Sequence, residues 1–267
     1  VQFSAAGSWH INIWIPLVMS IIAVVLAVIA PFAYDDQMKE TVKTADGKTE
    51  NAAQAEIEAA KSKMLVKPSG LVNFFTMFYG FVCMFIMYGA QQYTKAFGMS
   101  NCGLTEAQAA GMTSIYTVGS VIAVVFWAVM MGKLQWNPLK VVLIDSIFTA
   151  VALAIVLLVS NVAVIYVAMA LLGFFAAGGA LQTGLGIRQE MCPGPKGRNT
   201  GIYYTWMGLA SCFLPYIVSA MTTSIGEAAA VYTMMGLLLA AAVIAILMML
   251  YLVSQYKKIF GKSALSK

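Results

Sequence analysis

The chain has 267 residues, of which 61% are hydrophobic and 10% charged, with a mean hydropathy of +0.82. A water-soluble domain of this size has too little interior to hide that much apolar surface, so the composition excludes one and requires an integral membrane protein. The net charge of +5 follows from where lysine and arginine sit relative to the membrane, and no nucleic-acid partner is expected.

Crossing the hydrocarbon core takes about 20 apolar residues per helix. Runs of that kind predict seven transmembrane helices, over 11–33, 70–94, 109–132, 139–160, 162–187, 201–223 and 228–253. The runs are too long for barrel strands and lack their strict alternation, so the expected fold class is all-α. The layout is uneven: one span, a charged loop, then six spans in succession. The first span lacks a basic flank before it and a small-residue cleavage site after Pro31, which argues against a secretory leader. With Val1 rather than Met at its head, the lone first helix reads as the last helix of a preceding unit.

The loop over 34–69 carries Lys39, Lys43, Lys48, Lys61, Lys63 and Lys67 among seven acids. Asp46–Gly47 reads as a turn. The alanine-rich stretch from Asn51 to Lys63, with Glu58 and Lys61 at i,i+3, reads as a short helix. A solvated connector is the expected role, and contact with an anionic lipid or a cytosolic partner is the alternative. If the first span runs inward, the cytoplasmic segments are 34–68, 133–138, 188–200 and the tail after Ser254. With Lys140 just inside the membrane, these hold every Lys and Arg except Lys95. Such residues resist translocation. The N-terminus is therefore expected outside and the C-terminus in the cytoplasm, in a plasma (inner) membrane.

Within the spans, polar side chains mark the candidates for function. Amides in hydrocarbon must find partners or line a wet cavity. In the second span Asn73, Gly80, Met84, Tyr88 and Gln91 follow a helical stripe, with Tyr79 beside it. Interhelical hydrogen bonding and an interfacial tyrosine belt explain the same residues without a ligand. The fifth span is nearly side-chain-free on several sides. Ala176, Ala180 and Gly184 form a small-xxx-small row for close packing, and Gln182 and Thr183 face whatever passes. At the inner end of the sixth span, Tyr204 and Trp206 are further cavity candidates, and Pro215 is placed to kink it.

Charged residues at the cytoplasmic ends suggest a gate. Asp145 lies one to two turns into the fourth span, where a lone carboxylate is costly, and pairing with Lys140 or Lys133 is the expected remedy. Arg188, Glu190, Lys196 and Arg198 form a second cluster, which reads as a simple topology anchor or as a gate, since exposed ion pairs of about 1 kcal/mol exchange readily. Pro193 and Pro195 end one helix there, and Asn199–Thr200 can cap the next. Cys83, Cys102, Cys192 and Cys212 have no metal-ligand spacing, and His10 is the one histidine, so no metal and no cofactor are expected. No nucleophile–base pair or paired carboxylates support catalysis, and the chain reads as a non-enzyme.

The last six spans repeat. Three begin near 70, 109 and 139 and three near 162, 201 and 228, each pair offset by about 90 residues, as in two three-helix units in tandem. At this point the residues resemble the major facilitator superfamily. The Gly-rich fifth span, then Pro193, Gly197–Arg198, Gly201, Gly208 and Pro215, is similar to that family's tenth-to-eleventh span region. Met131-Gly132-Lys133-Leu134 with Lys140 resembles its loop motif between spans eight and nine, although Gln135-Trp136-Asn137-Pro138 replaces the usual aspartate and second glycine. Gly7-Ser8-Trp9-His10 is similar to the approach to its sixth span.

The resemblance implies a twelve-span secondary transporter working by alternating access, symporter or antiporter, with its substrate site between two six-helix halves. Residues 1–33 would be the sixth span, 34–69 the central loop and 70–267 the C-terminal six-helix domain. The implied partners are the lipid bilayer, a missing N-terminal six-helix half, and a small-molecule substrate with or without a coupling proton or cation. By that analogy the second and fifth spans line the cavity. A self-contained seven-span receptor or scaffold, or a half-transporter that dimerises, are the alternatives. The residues do not name a substrate.

Overall fold

Four residues with side chains that can stop a backbone, Ser69, Thr105, Asn137 and Asn161, each start a membrane helix in the computed structural model. Ser69 Oγ accepts from Val72 N at 3.3 Å, Asn137 Oδ1 from Leu139 N at 2.9 Å and Asn161 Oδ1 from Ala163 N at 3.0 Å. Thr105 and Gln108 form a reciprocal capping box. The structure describes residues 18, 21, 22, 25, 41–43, 49–159 and 161–265. The predicted first span and the motif around His10 lie outside the described residues, apart from Val18, Ile21, Ile22 and Val25, which are helical and exposed.

Short strands β1 (Thr41–Lys43) and β2 (Thr49–Asn51) pair antiparallel, Thr41 opposite Asn51 and Lys43 opposite Thr49. This hairpin is a small departure from the all-α expectation. The Asp46–Gly47 turn between its strands lies outside the described residues. Helix α1 (Ala52–Ser62) follows, where the alanine-rich stretch predicts it. Then come α2 (Gly70–Asn101), α3 (Glu106–Gly132), α4 (Pro138–Leu158), α5 (Val162–Leu172), a π turn (Gly173–Ala177), α6 (Ala180–Met191), α7 (Lys196–Ile225) and α8 (Glu227–Phe260). With α5 to α6 taken as one span, six segments among the described residues are long and apolar enough to cross a membrane. All six coincide with predicted spans.

Contacts divide the chain into two units, Val1–Glu58 and Ala59–Lys267. The second takes in the end of the connector as well as the bundle, because Leu65 N donates to Ile259 O at 2.7 Å and Met64 packs on the core. In the bundle, α8 packs along α2 and α4, α7 along α2, and α3 along α5 and the π turn. The buried residues of α2, among them Val72, Thr76, Tyr79, Cys83, Ile86 and Ala90, step by three and four and so form one stripe. One residue joins α7 to α8: Gly226, at φ +83°, a backbone region that glycine enters without steric cost.

The fifth span departs from a continuous helix, and its neighbour explains why. A side chain at Gly173 would overlap the Tyr116 carbonyl, one at Gly119 the Ala170 carbonyl, and one at Gly178 the Ala123 methyl. Two backbones therefore touch along α3 and the π turn, the close approach that small residues permit in membranes. The hydrogen-bond ladder of the span widens at this contact into the π turn, and regular helix resumes only at Ala180.

Coverage is uneven as well. The apolar windows of α3 and α7 are 22% and 17% buried, against 33–50% for the other four spans. Within the bundle these two helices leave most of their apolar surface uncovered.

Candidate functional site

By the alternation of six antiparallel spans, the starts of α2, α4 and α7 and the ends of α3, α6 and α8 share one end of the bundle. Lys67, Lys133, Lys140, Arg188, Arg198 and Lys257 lie there, and it is called the basic end below.

At the basic end the structure joins two predicted residues that the sequence keeps 115 positions apart. Arg188 of α6 is 3% exposed. Its Nη1 donates to Asn73 Oδ1 at 3.2 Å, to the Asn73 carbonyl at 3.3 Å and to Thr76 Oγ1 at 3.2 Å. Thr76 in turn donates to the Asn73 carbonyl at 3.0 Å and lies 3.7 Å from Cys192 Sγ. This knot ties the second span to the fifth. Arg188 Nε has no partner. Burial pushes the Cys192 thiol above the usual range, against the opposing pull of the Thr76 hydroxyl and the Arg188 charge. Thr76 and Cys192 were not among the predicted residues. Thr76 sits three residues after Asn73, so extending the polar stripe by one position finds it.

The expected gate cluster is rearranged. Glu190 is exposed and accepts from Tyr256 Oη at 2.7 Å instead of meeting Arg188. Arg198 is exposed at the start of α7. Asn199 does not cap that helix. It is buried inside the first turn, and its Nδ2 donates to the Cys192 carbonyl at 2.9 Å, closing the connection from within. Lys133 is exposed at the end of α3. Lys140 Nζ lies 4.3 Å from the centre of the Trp136 ring, a cation–π contact.

That contact takes Lys140 away from Asp145, and the expected pairing of Asp145 with Lys140 or Lys133 is not formed. Asp145 is 1% exposed and neither carboxyl oxygen has a hydrogen-bond partner. It lies about 10 Å along α4 from its first residue. Beside it is a cavity of about 20 Å³, bordered by Tyr79, Cys83, Ser146, Thr149, Phe175 and Ala176, enough for about one water. The Trp127 indole N–H borders the same acid without reaching hydrogen-bond geometry. Phe175 and Ala176 belong to the π turn, so the buried acid faces the break in the fifth span.

The other predicted cavity residues divide. Tyr79 is buried at the Asp145 cavity. Gly80 is a packing residue: a side chain there would come within 2.9 Å of the Tyr203 carbonyl. Thr183 is buried, its Oγ1 3.9 Å from Met131 Sδ, whereas Gln182 beside it is exposed. Tyr88 is half-buried, and Gln91 is exposed toward the opposite end. Tyr204 is exposed, and Trp206 stands edge-on to Phe74, Phe78 and Phe81 at 6.3, 5.4 and 6.4 Å. Among the described residues, no three His, Cys, Asp or Glu side chains are placed to hold a metal.

The family model described as the Major Facilitator Superfamily matches residues 91–265. Two Escherichia coli (strain K12) proteins are similar to the chain. The inner membrane transport protein YdiM is 29% identical over 144 residues, 54% of this chain and 35% of the relative. The inner membrane transport protein YdiN is 28% identical over 167 residues, 62% and 39%. The uncharacterized MFS-type transporter YfkL of Bacillus subtilis (strain 168) is 29% identical over 187 residues, 69% and 45%. The chain thus spans less than half the length of these curated relatives. Among solved structures, the peptide transporter POT in complex with sulfate superposes with a TM-score of 0.62 at 18% identity, over 81% of this chain and 44% of that one. An E310Q mutant of POT gives 0.62 at 17% identity, over 79% and 43%. This likeness is one of fold.

Proposed function

The chain belongs to the major facilitator superfamily, and from that premise we propose that it forms the second six-helix half, with one preceding span, of a twelve-span secondary transporter moving a small solute by alternating access. It is an integral membrane protein with transmembrane helices. The observation that carries the reading is the break in the fifth span. Interrupted helices near mid-membrane are where transporters of this general kind bind and move. Here the break separates α5, held against α3 by backbone contact, from α6, which carries Arg188 to the second span.

A shift of α6 relative to α5 would cost few hydrogen bonds at Gly178 and Gly179, where the regular ladder is already interrupted. The same shift would carry Gln182 and Thr183 past the Asp145 cavity and loosen the Arg188 knot. In this proposal Asn73, Tyr79, Gln182, Tyr204 and Trp206 are the residues a solute meets, and Arg188 with Thr76 latches the basic end. That end faces the cytoplasm, because lysine and arginine are retained there. The thinly covered helices α3 and α7 supply the surface for the other half.

The test is uptake. Vesicles carrying this chain alone are compared with vesicles carrying it extended by five N-terminal spans, using a panel of labelled sugars, amino acids and amphipathic organic anions. Uptake by the extended protein and none by the chain alone is expected. Equal uptake by both contradicts the half-transporter reading and points to a homodimer or a self-contained unit.

A further inference from the structure

At the basic end, between the end of α1, the start of α2, the end of α6 and the start of α7, lies a cavity of about 1060 Å³. Lys61, Lys67, Arg188 and Arg198 line it, and among the described residues no carboxylate does. An uncompensated cluster of one sign in a concave, low-dielectric wall draws the opposite charge. Arg188 makes the site more than a surface patch. It is buried, its Nη1 is fixed by Asn73 and Thr76, and its Nε has no partner. A guanidinium fixed on one arm holds its charge in one orientation at the wall of the cavity. Two helices, α2 and α7, also begin at this cavity, so their positive ends add to the field.

One helical turn further along the same two helices the character changes. Gly70 and Ile202 line the cavity. Phe74 and Trp206, each four residues on, belong to an aromatic ladder. Phe74 stacks on Phe78 at 5.4 Å and Phe78 on Phe81 at 5.4 Å, with the Trp206 edge against all three. Phe74 is 40% exposed, so the first ring of the ladder, one turn from the lining residue Gly70, is uncovered. A ligand that satisfies both regions carries a negative head and an apolar tail.

We propose that this cavity binds an amphipathic anion, its head held by Lys67, Arg188 and Arg198 and its tail laid along Phe74 and Trp206. The chemistry fits an acidic phospholipid of the surrounding leaflet, and it equally fits a soluble aromatic phosphate or carboxylate. Nothing in it depends on the chain being a transporter; the site shares Arg188 and Trp206 with the proposed latch and solute path, and none of its lining residues borders the Asp145 cavity.

Cys192 lines the cavity and reports on it. The chain is placed in phosphatidylcholine nanodiscs, in nanodiscs that also contain phosphatidylglycerol, and in phosphatidylcholine nanodiscs titrated with phenyl phosphate. Maleimide labelling of Cys192 is then read by peptide mass. Protection by phosphatidylglycerol identifies the lipid as the source, and protection by phenyl phosphate identifies a soluble anion. The variant Lys67→Gln/Arg198→Gln removes two exposed charges and should weaken protection about 30-fold. Lys67→Arg/Arg198→Lys should keep it. Lys257→Gln/Lys258→Gln removes the same charge from a part of the basic end that does not line the cavity, and should keep it too. Absence of protection in both arms overturns the proposal. So does equal loss in the two neutralised variants, which would mean general charge attraction.

Discussion

The second and fifth spans hold equivalent places in the two three-helix units, 92 residues apart at their starts (70 and 162), and are nearly the same length, 32 and 30 residues. They solve the same problem differently. Helix α2 is continuous and carries its chemistry on side chains: Asn73, Thr76 and Tyr79 on one stripe, the phenylalanine ladder on another. The fifth span gives up side chains at Gly173, Gly178 and Gly179, lets its backbone touch α3, and interrupts its ladder there. One helix carries polar groups on a continuous rod, and the other is interrupted at a joint. Arg188, reaching from the jointed helix to the rod, makes the state of one depend on the other.

The largest effect expected from breaking this contrast is at the joint. Gly173→Leu forces a side chain into the Tyr116 backbone, which cannot yield as a flexible side chain would, and should cost more than about 3 kcal/mol. Gly186→Leu, where nothing lies within 4 Å, should be nearly neutral. Unfolding in mixed detergent micelles compares the two, and equal losses would mean that α3 and the π turn are not in backbone contact. Next comes the link between the spans. Arg188→Met strands the acceptors on Asn73 and Thr76 and should cost about 2 kcal/mol, since hydrogen bonds to charged groups are worth about 1.5–3. A double-mutant cycle with Thr76→Val should return part of that as coupling, and strict additivity would deny the knot.

Asp145 offers a test in the opposite direction. Because neither oxygen is hydrogen-bonded, Asp145→Leu removes a buried polar group without breaking a bond. Stability should hold or rise by about 1 kcal/mol while transport by the extended protein is lost. A large destabilisation would mean that the acid has a structural partner.

For Cys192 the expectation is one of pH. Its thiol is raised in the fold, so the unfolded chain releases this proton first. The stability it contributes is intact below the ordinary thiol range and is lost as pH climbs through the raised value. Maleimide labelling of Cys192 should climb over the same window, and labelling complete within the ordinary thiol range would contradict it. The smallest effect is at the far end, where Lys95 and Glu106 pair at 2.7 Å with side chains 37% and 70% exposed. Glu106→Gln should leave the unfolding midpoint unchanged, and a clear drop would mean that the exposed pair holds the two helices together.

The sequence reveals features that depend on local chemistry. Apolar length locates the spans, and the Ser, Thr and Asn residues before them set their starts within a few positions. The alanine-rich stretch gives α1. Features that arise between distant segments are not legible. The break at Gly173 comes from α3 pressing on that point, and a run of glycines is equally compatible with a straight, closely packed helix. Asp145 and Lys140 lie five residues apart, which puts them about 140° apart around α4, and Trp136 takes the lysine instead. Arg188 reads as one member of a charge cluster because its acceptors lie on a helix 115 residues earlier. Asn199 looks like a cap from its neighbours alone, and its burial under Cys192 shows only when the connection is closed.

In the proposed transport cycle the joint in the fifth span gives access to both sides of the membrane. Gln182, exposed just beyond the break, is the position to watch. With Gln182→Cys in the protein extended by five spans, labelling by an impermeant maleimide is measured in right-side-out and inside-out vesicles. Alternating access predicts labelling from both faces, with an added substrate shifting the ratio. Labelling from one face alone, unchanged by any solute in the panel, would contradict it.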